Sequence, residues 1–278
     1  MIADKTSTQD RPLVSVVTVV YNGEKQIEAT LQSIFSQTYQ NIESVIIDGG
    51  SSDHTLEIIK KYQNNISFWL SEPDRGIAHA WNKGLERCSG DIVGILNVGD
   101  SYHPEAIRLA VEEFQKNQDV GFVFGDMLVC NEKGKPRYKI KGNINYLENI
   151  DYEMAFVPHP TVFVKRSIYE TEGLYDESYQ LAMDYEFLLR ITKRGIVGRY
   201  IPDILTTMSL GGASDQKYRQ CYKEMMQISV AHGYNKKLAL VRYYYNFMKT
   251  FLRKRMENVR LSSVIKWFRV CTNKSYDY

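Results

Sequence analysis

The chain has 278 residues, 44% hydrophobic and 24% charged, which suits one large soluble domain, alone or with a helical appendage. Four scattered cysteines (Cys88, Cys130, Cys221 and Cys271), a polar N-terminus and no apolar run of 18 residues argue against a disulfide framework, structural zinc, a secretory signal or a membrane-spanning helix, and lead us to expect a reducing cytoplasm. The net charge of +2 is split: residues 235–278 carry 11 bases and 2 acids, or +9, while residues 1–234 carry 24 bases and 31 acids, or −7, a poor match to nucleic-acid binding.

In chain order, Leu13 to Val20 is a continuous β-branched run, the pattern of a strand buried on both faces in a parallel sheet. Tyr21-Asn22-Gly23 breaks it, and a helix follows with Ile27, Leu31, Ile34 and Phe35 on one face. Ser44 to Ile47 is a second strand, ended by Asp48-Gly49-Gly50; Ser52 or Asp53 then caps a helix carrying Leu56, Ile59 and Tyr62. A short third strand (67–70), a helix from Ile77 to Cys88 and a fourth strand (91–96) lead to Asn97-Val98-Gly99-Asp100. Pro104 opens the next helix, and Val120 to Phe124 reads as a fifth strand.

This alternation predicts a doubly wound α/β sheet with its ligand site outside the carboxyl ends of the strands, where the polar turns after strands one, two and four collect. Beyond residue 130 the pattern changes to a polar hairpin or loop at Lys133–Lys141, a short strand at Thr161–Val164, a helix at Asp184–Lys193 and an extended piece at Tyr200–Thr206; from Lys217 on it is helical. The expected organisation is a nucleotide-sugar-binding half at 1–130, an acceptor-binding and catalytic half of the same domain at 131–216, and a helical, basic and aromatic extension at 217–278.

An acid at a strand end can hold a divalent metal over a diphosphate, and Asp100, with Asn97 beside it, is so placed; Mg2+ and Mn2+ need only one or two protein carboxylates. Asp48 can accept hydrogen bonds from a base or ribose. The alternative is that both acids only cap turns. His159, set between Pro158 and Pro160, is open to a structural reading, and 208–214, with Gly211-Gly212, to a flap or a plain loop.

Pro12–Asn22, Ile46–Thr55, Glu72–Ile77, Ala80–Gly84, Gly90–Asn97, His159–Phe163, Gly173–Asp176 and Asp184–Arg190 together resemble the family 2 glycosyltransferases, inverting enzymes of GT-A fold, in a subgroup common in bacterial exopolysaccharide and O-antigen assembly. The resemblance implies a Rossmann-like, mostly parallel sheet flanked by helices. It also implies transfer of a hexose or N-acetylhexosamine from a UDP-sugar to a glycan acceptor, often lipid-diphosphate-linked. Thr18, Val20, Tyr21 and Asn22 would line the uracil pocket, Glu24 would lie near the ribose and Asp48 would contact the base. Asp74 and Arg75 would approach the diphosphate or ribose, with Asn82 supporting their loop. Asp100 would bind Mg2+ or Mn2+, Asp184 would be the catalytic base, and Glu186 is the second choice.

Three departures stand out: Gly99 replaces one acid of the metal motif, Met183 the acid before Asp184, and Ala78-His79 the acidic and aromatic residues common there. They keep open a catalytically degenerate nucleotide- or lipid-binding protein. A sugar-1-phosphate nucleotidyltransferase would need a Gly-rich loop with Arg and Lys where Tyr21-Asn22-Gly23-Glu24 stands. The basic, aromatic tail suits the surface of an anionic membrane, with a partner-binding helical pair, in a homodimer for example, as the alternative. The expected location is the cytoplasmic face of the cell membrane.

Overall fold

A computed structural model of the chain describes residues 11–131, 134–148, 150–151, 157–210, 212–258 and 274–275. The first half alternates as expected, through β1 (Val14–Val20), α1 (Ile27–Phe35), β2 (Ile42–Asp48), α2 (Thr55–Lys61), β3 (Phe68–Ser71), α3 (Ile77–Leu85), β4 (Ile92–Ile95), the two-residue β5 (Ser101–Tyr102) and α4 (Ala106–Lys116). Strands β3, β2, β1 and β4 lie side by side and parallel. Every residue of β1 is buried. Side chains alternate across a strand, so Val17 and Val19 meet Ala80, Trp81 and Leu85 of α3, while Val14 and Val16 meet Ile107, Ala110 and Phe114 of α4 and Val20 packs with Ile27 and Leu31 of α1.

The second half departs from a mostly parallel sheet. The fifth strand runs on to Cys130 as β6 (Val120–Cys130). It forms a hairpin with β7 (Pro136–Ile140), and a hairpin is antiparallel by construction. β8 (Phe163–Lys165) is inserted antiparallel between β4 and β6. β9 (Val197–Ser209), twice the expected length, follows β6 in parallel from end to end and also pairs with β5. The sheet is therefore mixed, with α5 (Arg166–Glu172) and α6 (Met183–Lys193) beside it and β10 (Lys274–Ser275) on the outer edge of β7.

The C-terminal helices α7 (Ala213–Gln216), α8 (Tyr218–Ala231) and α9 (Lys236–Asn258) match the reading of helix from 217 as far as Asn258; 259–273 lie outside the described residues, and 274–275 form a strand where helix was expected. The first of the longer two, α8, is joined to the body. Ile228 of α8 is fully buried in the same core as Leu188 and Leu189 of α6, and the Tyr185 and Ser229 hydroxyls lie 2.9 Å apart. No helix among the described residues is long and apolar enough to cross a membrane.

If α8 folds with the body, Ile228→Ala should cost about 2–4 kcal/mol through its cavity and shift the main urea transition. A separate early transition, with the main one unmoved, would show the helices to be an independent unit.

Candidate active site

The turns that end β1, β2 and β4 stand together. Gly49 N–H donates to Val20 O (2.9 Å) and Val98 N–H to Val19 O (3.2 Å). They form the head of a cleft of about 890 Å³, within the range of ligand sites. Val20, Tyr21, Asp74, Asn97 and Asp100 line it, as does Asp184 at the start of α6. The end of β9 and residues from α8 and α9 complete the wall.

Asp100 is 8% exposed. Its turn is tied from outside: Thr30 Oγ1 on α1 donates to Asp100 O (2.8 Å) and accepts from Gly99 N–H (3.1 Å), while Ser209 Oγ on β9 donates to Gly99 O (2.9 Å). Gly99 has φ +93°, a conformation glycine adopts without strain. The glycine that replaces a family acid is thus the residue this turn needs. Burial pushes the Asp100 carboxyl up to about 7, opposed by a backbone hydrogen bond from Ser209.

Among the described residues there is no group of three His, Cys, Asp or Glu that could form a metal cage. Asn97 Oδ1 already accepts from Trp81 Nε1–H (2.9 Å), though an amide oxygen has a second lone pair. The donor set is one under-solvated carboxylate and one amide oxygen. Those residues fit Mg2+ or Mn2+ whose coordination is completed by phosphate oxygens and water.

Asp184 lies in the first turn of α6, and its Oδ1 accepts from Tyr185 N–H (2.8 Å). Part of its surface reaches the cleft, but protein surrounds the rest; burial first, and the charge of Glu224 last, push it up to about 6. Beside it, Trp81 stacks on His159 (centroids 4.8 Å apart, planes at 18°) and tilts against Tyr175 (4.9 Å). Burial holds His159 down to about 4, so it is a neutral stacking partner at physiological pH.

Of the other expected residues, Asp74 lines the cleft and Thr18, Asn22, Glu24, Asp48, Arg75, Asn82 and Glu186 do not. Thr18 is wholly buried within β1, its hydroxyl unpartnered among the described residues. Asn22 Oδ1 accepts from Ser52 N–H (2.9 Å), and Glu24 Oε2 from His54 N–H (3.2 Å), so both brace the β2–α2 turn. Asp48 is saturated by Gly50 N–H, Ser51 N–H and the hydroxyls of Ser51 and Ser71. Arg75 forms an exposed pair with Glu177 (2.6 Å). Asn82 clamps the backbone of Tyr175 in both directions (2.9 and 3.0 Å), steadying that loop instead of its own. Glu186 is buried against Arg190, with paired contacts of 3.0 and 3.1 Å. Asp74 does reach the cleft: its Oδ2 is 2.5 Å from where a Cβ on Gly49 would lie, so only a glycine there admits it.

Several lining residues were not singled out in the sequence, among them Gln26, Leu181, Tyr222, Thr250 and Arg253. Tyr218, Cys221 and Tyr222 show helical spacing, which marks a common face but not what it faces. Met208, Ser209, Leu210 and Gly212 of the expected flap line the cleft; Gly211 lies outside the described residues.

Since its raised carboxyl favours the protonated form, Asp100 should stabilise the fold below its unfolded value near 4, and that contribution should disappear as pH rises through about 7. Asp100→Asn should then raise metal-free stability at pH 8 by on the order of 2 kcal/mol and have little effect at pH 4. Urea denaturation in EDTA at both pH values measures it; equal effects at the two would refute the buried-charge account.

Residues 15–173 match the family described as Glycosyl transferase family 2. An uncharacterised glycosyltransferase of Mycobacterium tuberculosis is 31% identical over 185 residues, 64% of this chain and 68% of that protein. The chondroitin synthase of Escherichia coli is 30% identical over 191 residues, 66% of this chain but 27% of the synthase. Among solved structures, S. aureus TarS 1–349 in complex with UDP-GlcNAc superposes with a TM-score of 0.63 at 18% identity, covering 88% of this chain and 73% of that one. Mannosyltransferase PcManGT from Pyrobaculum calidifontis, in complex with GDP-Man and Mn2+, gives 0.63 at 19% identity over 94% and 83%. The chain belongs to glycosyl transferase family 2, a glycosyltransferase of GT-A fold.

Proposed function

We propose that the enzyme moves a hexose or N-acetylhexosamine from a UDP-sugar to a hydroxyl of a glycan acceptor, with inversion, in the synthesis of a bacterial surface polysaccharide such as O-antigen. The observation that carries this reading is the pair Asp100 and Asp184: one buried and one partly exposed carboxylate on one cleft, neither in an ion pair among the described residues. UDP-GlcNAc in TarS and Mn2+ in PcManGT support a nucleotide-sugar donor and a divalent ion. Family membership favours a transferase over a nucleotidyltransferase or a degenerate binder.

Tyr21, 65% exposed at the end of β1, offers its ring to the uracil above Val20, and Asp74 approaches the ribose or diphosphate. Asn97 and Asp100 would hold Mg2+ or Mn2+, which supplies Lewis-acid stabilisation of the charge left on the departing diphosphate. The acceptor oxygen bonds to the anomeric carbon as the carbon–phosphate-oxygen bond breaks, and Asp184 takes the hydroxyl proton. A carboxylate near 6 is largely ionised at pH 7 yet more basic than an ordinary one.

The acceptor end of the cleft includes Thr250 and Arg253 of α9. On the outer side of that helix, Leu238, Val241, Tyr245, Met248 and Leu252 are exposed at alternating three- and four-residue spacing, in a helix that also carries Lys236, Lys237, Lys249 and Arg255. This suits peripheral binding to the cytoplasmic face of an anionic membrane and a lipid-diphosphate-linked acceptor. The basic residues from 259 to 273 lie outside the described residues.

Asp184→Asn should lower kcat by about 100-fold or more while the donor KM changes less than about threefold, measured over a panel of UDP-glucose, UDP-galactose and their N-acetyl forms. A change confined to KM would make Asp184 a nucleotide-positioning group. Separately, Val241→Asp with Met248→Asp should release the protein from anionic liposomes and leave turnover of a soluble acceptor unchanged. Equal pelleting of both proteins would sink the membrane reading, and conversion of a dimer to a monomer without vesicle binding would make the face a subunit contact.

A further inference from the structure

The reaction as described makes no use of Glu224, a buried acid on α8, 8% exposed. Its Oε2 accepts three backbone N–H groups, from Gln180 (3.1 Å), Leu181 (2.8 Å) and Ala182 (3.1 Å), and its Oε1 accepts from Gln220 Nε2 (2.9 Å). These three residues form the turn that delivers the chain into α6, two positions before Asp184. Ala182, at the N-cap, has no capping side chain of its own, so the turn's donors are satisfied from a helix some forty residues away. A hydroxyl–hydroxyl contact of 2.9 Å, Tyr185 to Ser229, joins the same two helices one residue beyond Asp184.

We propose that Glu224 is a positioning residue for the transfer step: it fixes the Gln180–Ala182 turn that carries Asp184 and keeps a negative charge beside it, so that α8 completes the catalytic site. This rests on reading Asp184 as the base.

The groups facing Asp184 single out Glu224 as its unneutralised charged neighbour among them. Cys221 on α8 is pushed up to about 12 by burial, and Tyr175 well above its ordinary value, so both stay neutral. His159 is neutral as well. Arg190 on α6 is paired with Glu186, and Arg253 on α9 with Asp215. A carboxylate at Glu224 therefore disfavours ionisation of Asp184 and makes it a stronger base. The cleft wall built by α8 and α9 and the orientation of the base are then one arrangement, coupled through Glu224.

The test uses the full chain, with release of UDP from the best donor of the UDP-sugar panel. Glu224→Gln keeps the volume and one acceptor oxygen but removes the charge. It should lower kcat by roughly 10- to 100-fold, leave UDP affinity by calorimetry within about threefold, and move the acid limb of the kcat–pH profile to lower pH. An unmoved acid limb, or a loss of UDP affinity equal to the loss of rate, would overturn the proposal, since a purely structural role predicts either. Glu224→Ala strips the turn of its acceptor and should lose more rate than Glu224→Gln; if it does not fold, the glutamine variant carries the test alone. Asp184→Asn run alongside separates the two claims: if it keeps wild-type kcat, the base assignment fails and the proposal with it, whereas an inactive Asp184→Asn with an unmoved limb in Glu224→Gln overturns the proposal only.

Discussion

Seven consecutive buried residues, Val14 to Val20, leave β1 no face for water. Such a strand must be paired on both edges and covered on both faces. β2 and β4 supply the edges in parallel, α3 covers one face, and α1 and α4 cover the other. Parallel strands end on the same side, and each of the three turns there exposes backbone groups that need partners. The first two turns serve each other: Ser51, Asp53 and Thr55 of the second accept from N–H groups of the first, Asn22 of the first accepts from Ser52 of the second, and Asp48 accepts within its own turn. At the third, Thr30 and Ser209 supply the partners from neighbouring elements. Asp100 is thereby left over, its carboxylate held in the cleft and short of partners. The acid that its own turn does not use is the one left facing the cleft.

That difference explains what the sequence could and could not disclose. The buried strands, the alternation and the three polar turns were legible because each follows from local period and turn chemistry. Whether an Asx side chain at a strand end faces its own turn or a ligand was not, since both uses call for the same residue. The choice between Asp184 and Glu186 was more accessible: Arg190 is four residues beyond Glu186, the spacing of a helical ion pair, and they do pair. β6 was under-read because Gly125-Asp126 interrupts its apolar run, and the register of its pairing with β9 shifts at that point. Glu224 could not be found at all by local pattern, because its partners are about forty residues away.

Charge sorts the acids further. Asp126 is buried with Lys139 at 3.0 Å and the Tyr200 hydroxyl at 2.7 Å, Glu186 is buried with Arg190, and the more exposed Asp215 is paired with Arg253 and Lys254. Each of these carboxylates has a cation in the fold itself. Asp100 and Asp184 have none among the described residues, and both are pushed upward. An anion enclosed by protein with neither a cation nor a full set of hydrogen-bond donors disfavours folding, so its retention at a cleft points to a use outside the fold. The two acids differ in what would relieve them: a divalent cation for Asp100 and a proton for Asp184.

The C-terminal helices face three surroundings at once. Ile228 of α8 belongs to the central core, and Tyr222 of α8 and Thr250 of α9, joined by hydroxyls 2.9 Å apart, belong to the cleft wall, while the outer stripe of α9 is exposed. Ile228 ties α8 to the body, and the two helices also pack on each other, Tyr218 of α8 stacking on Phe247 of α9 with centroids 5.9 Å apart. One helix with its side chains is about 10 Å across, and that thickness separates the cleft edge at Thr250 and Arg253 from the outer stripe. On the membrane reading, the acceptor end of the cleft is therefore held about one helix diameter from the lipid surface. That geometry suits a glycan attached close to its lipid, and it would be lost if α9 met a protein partner instead.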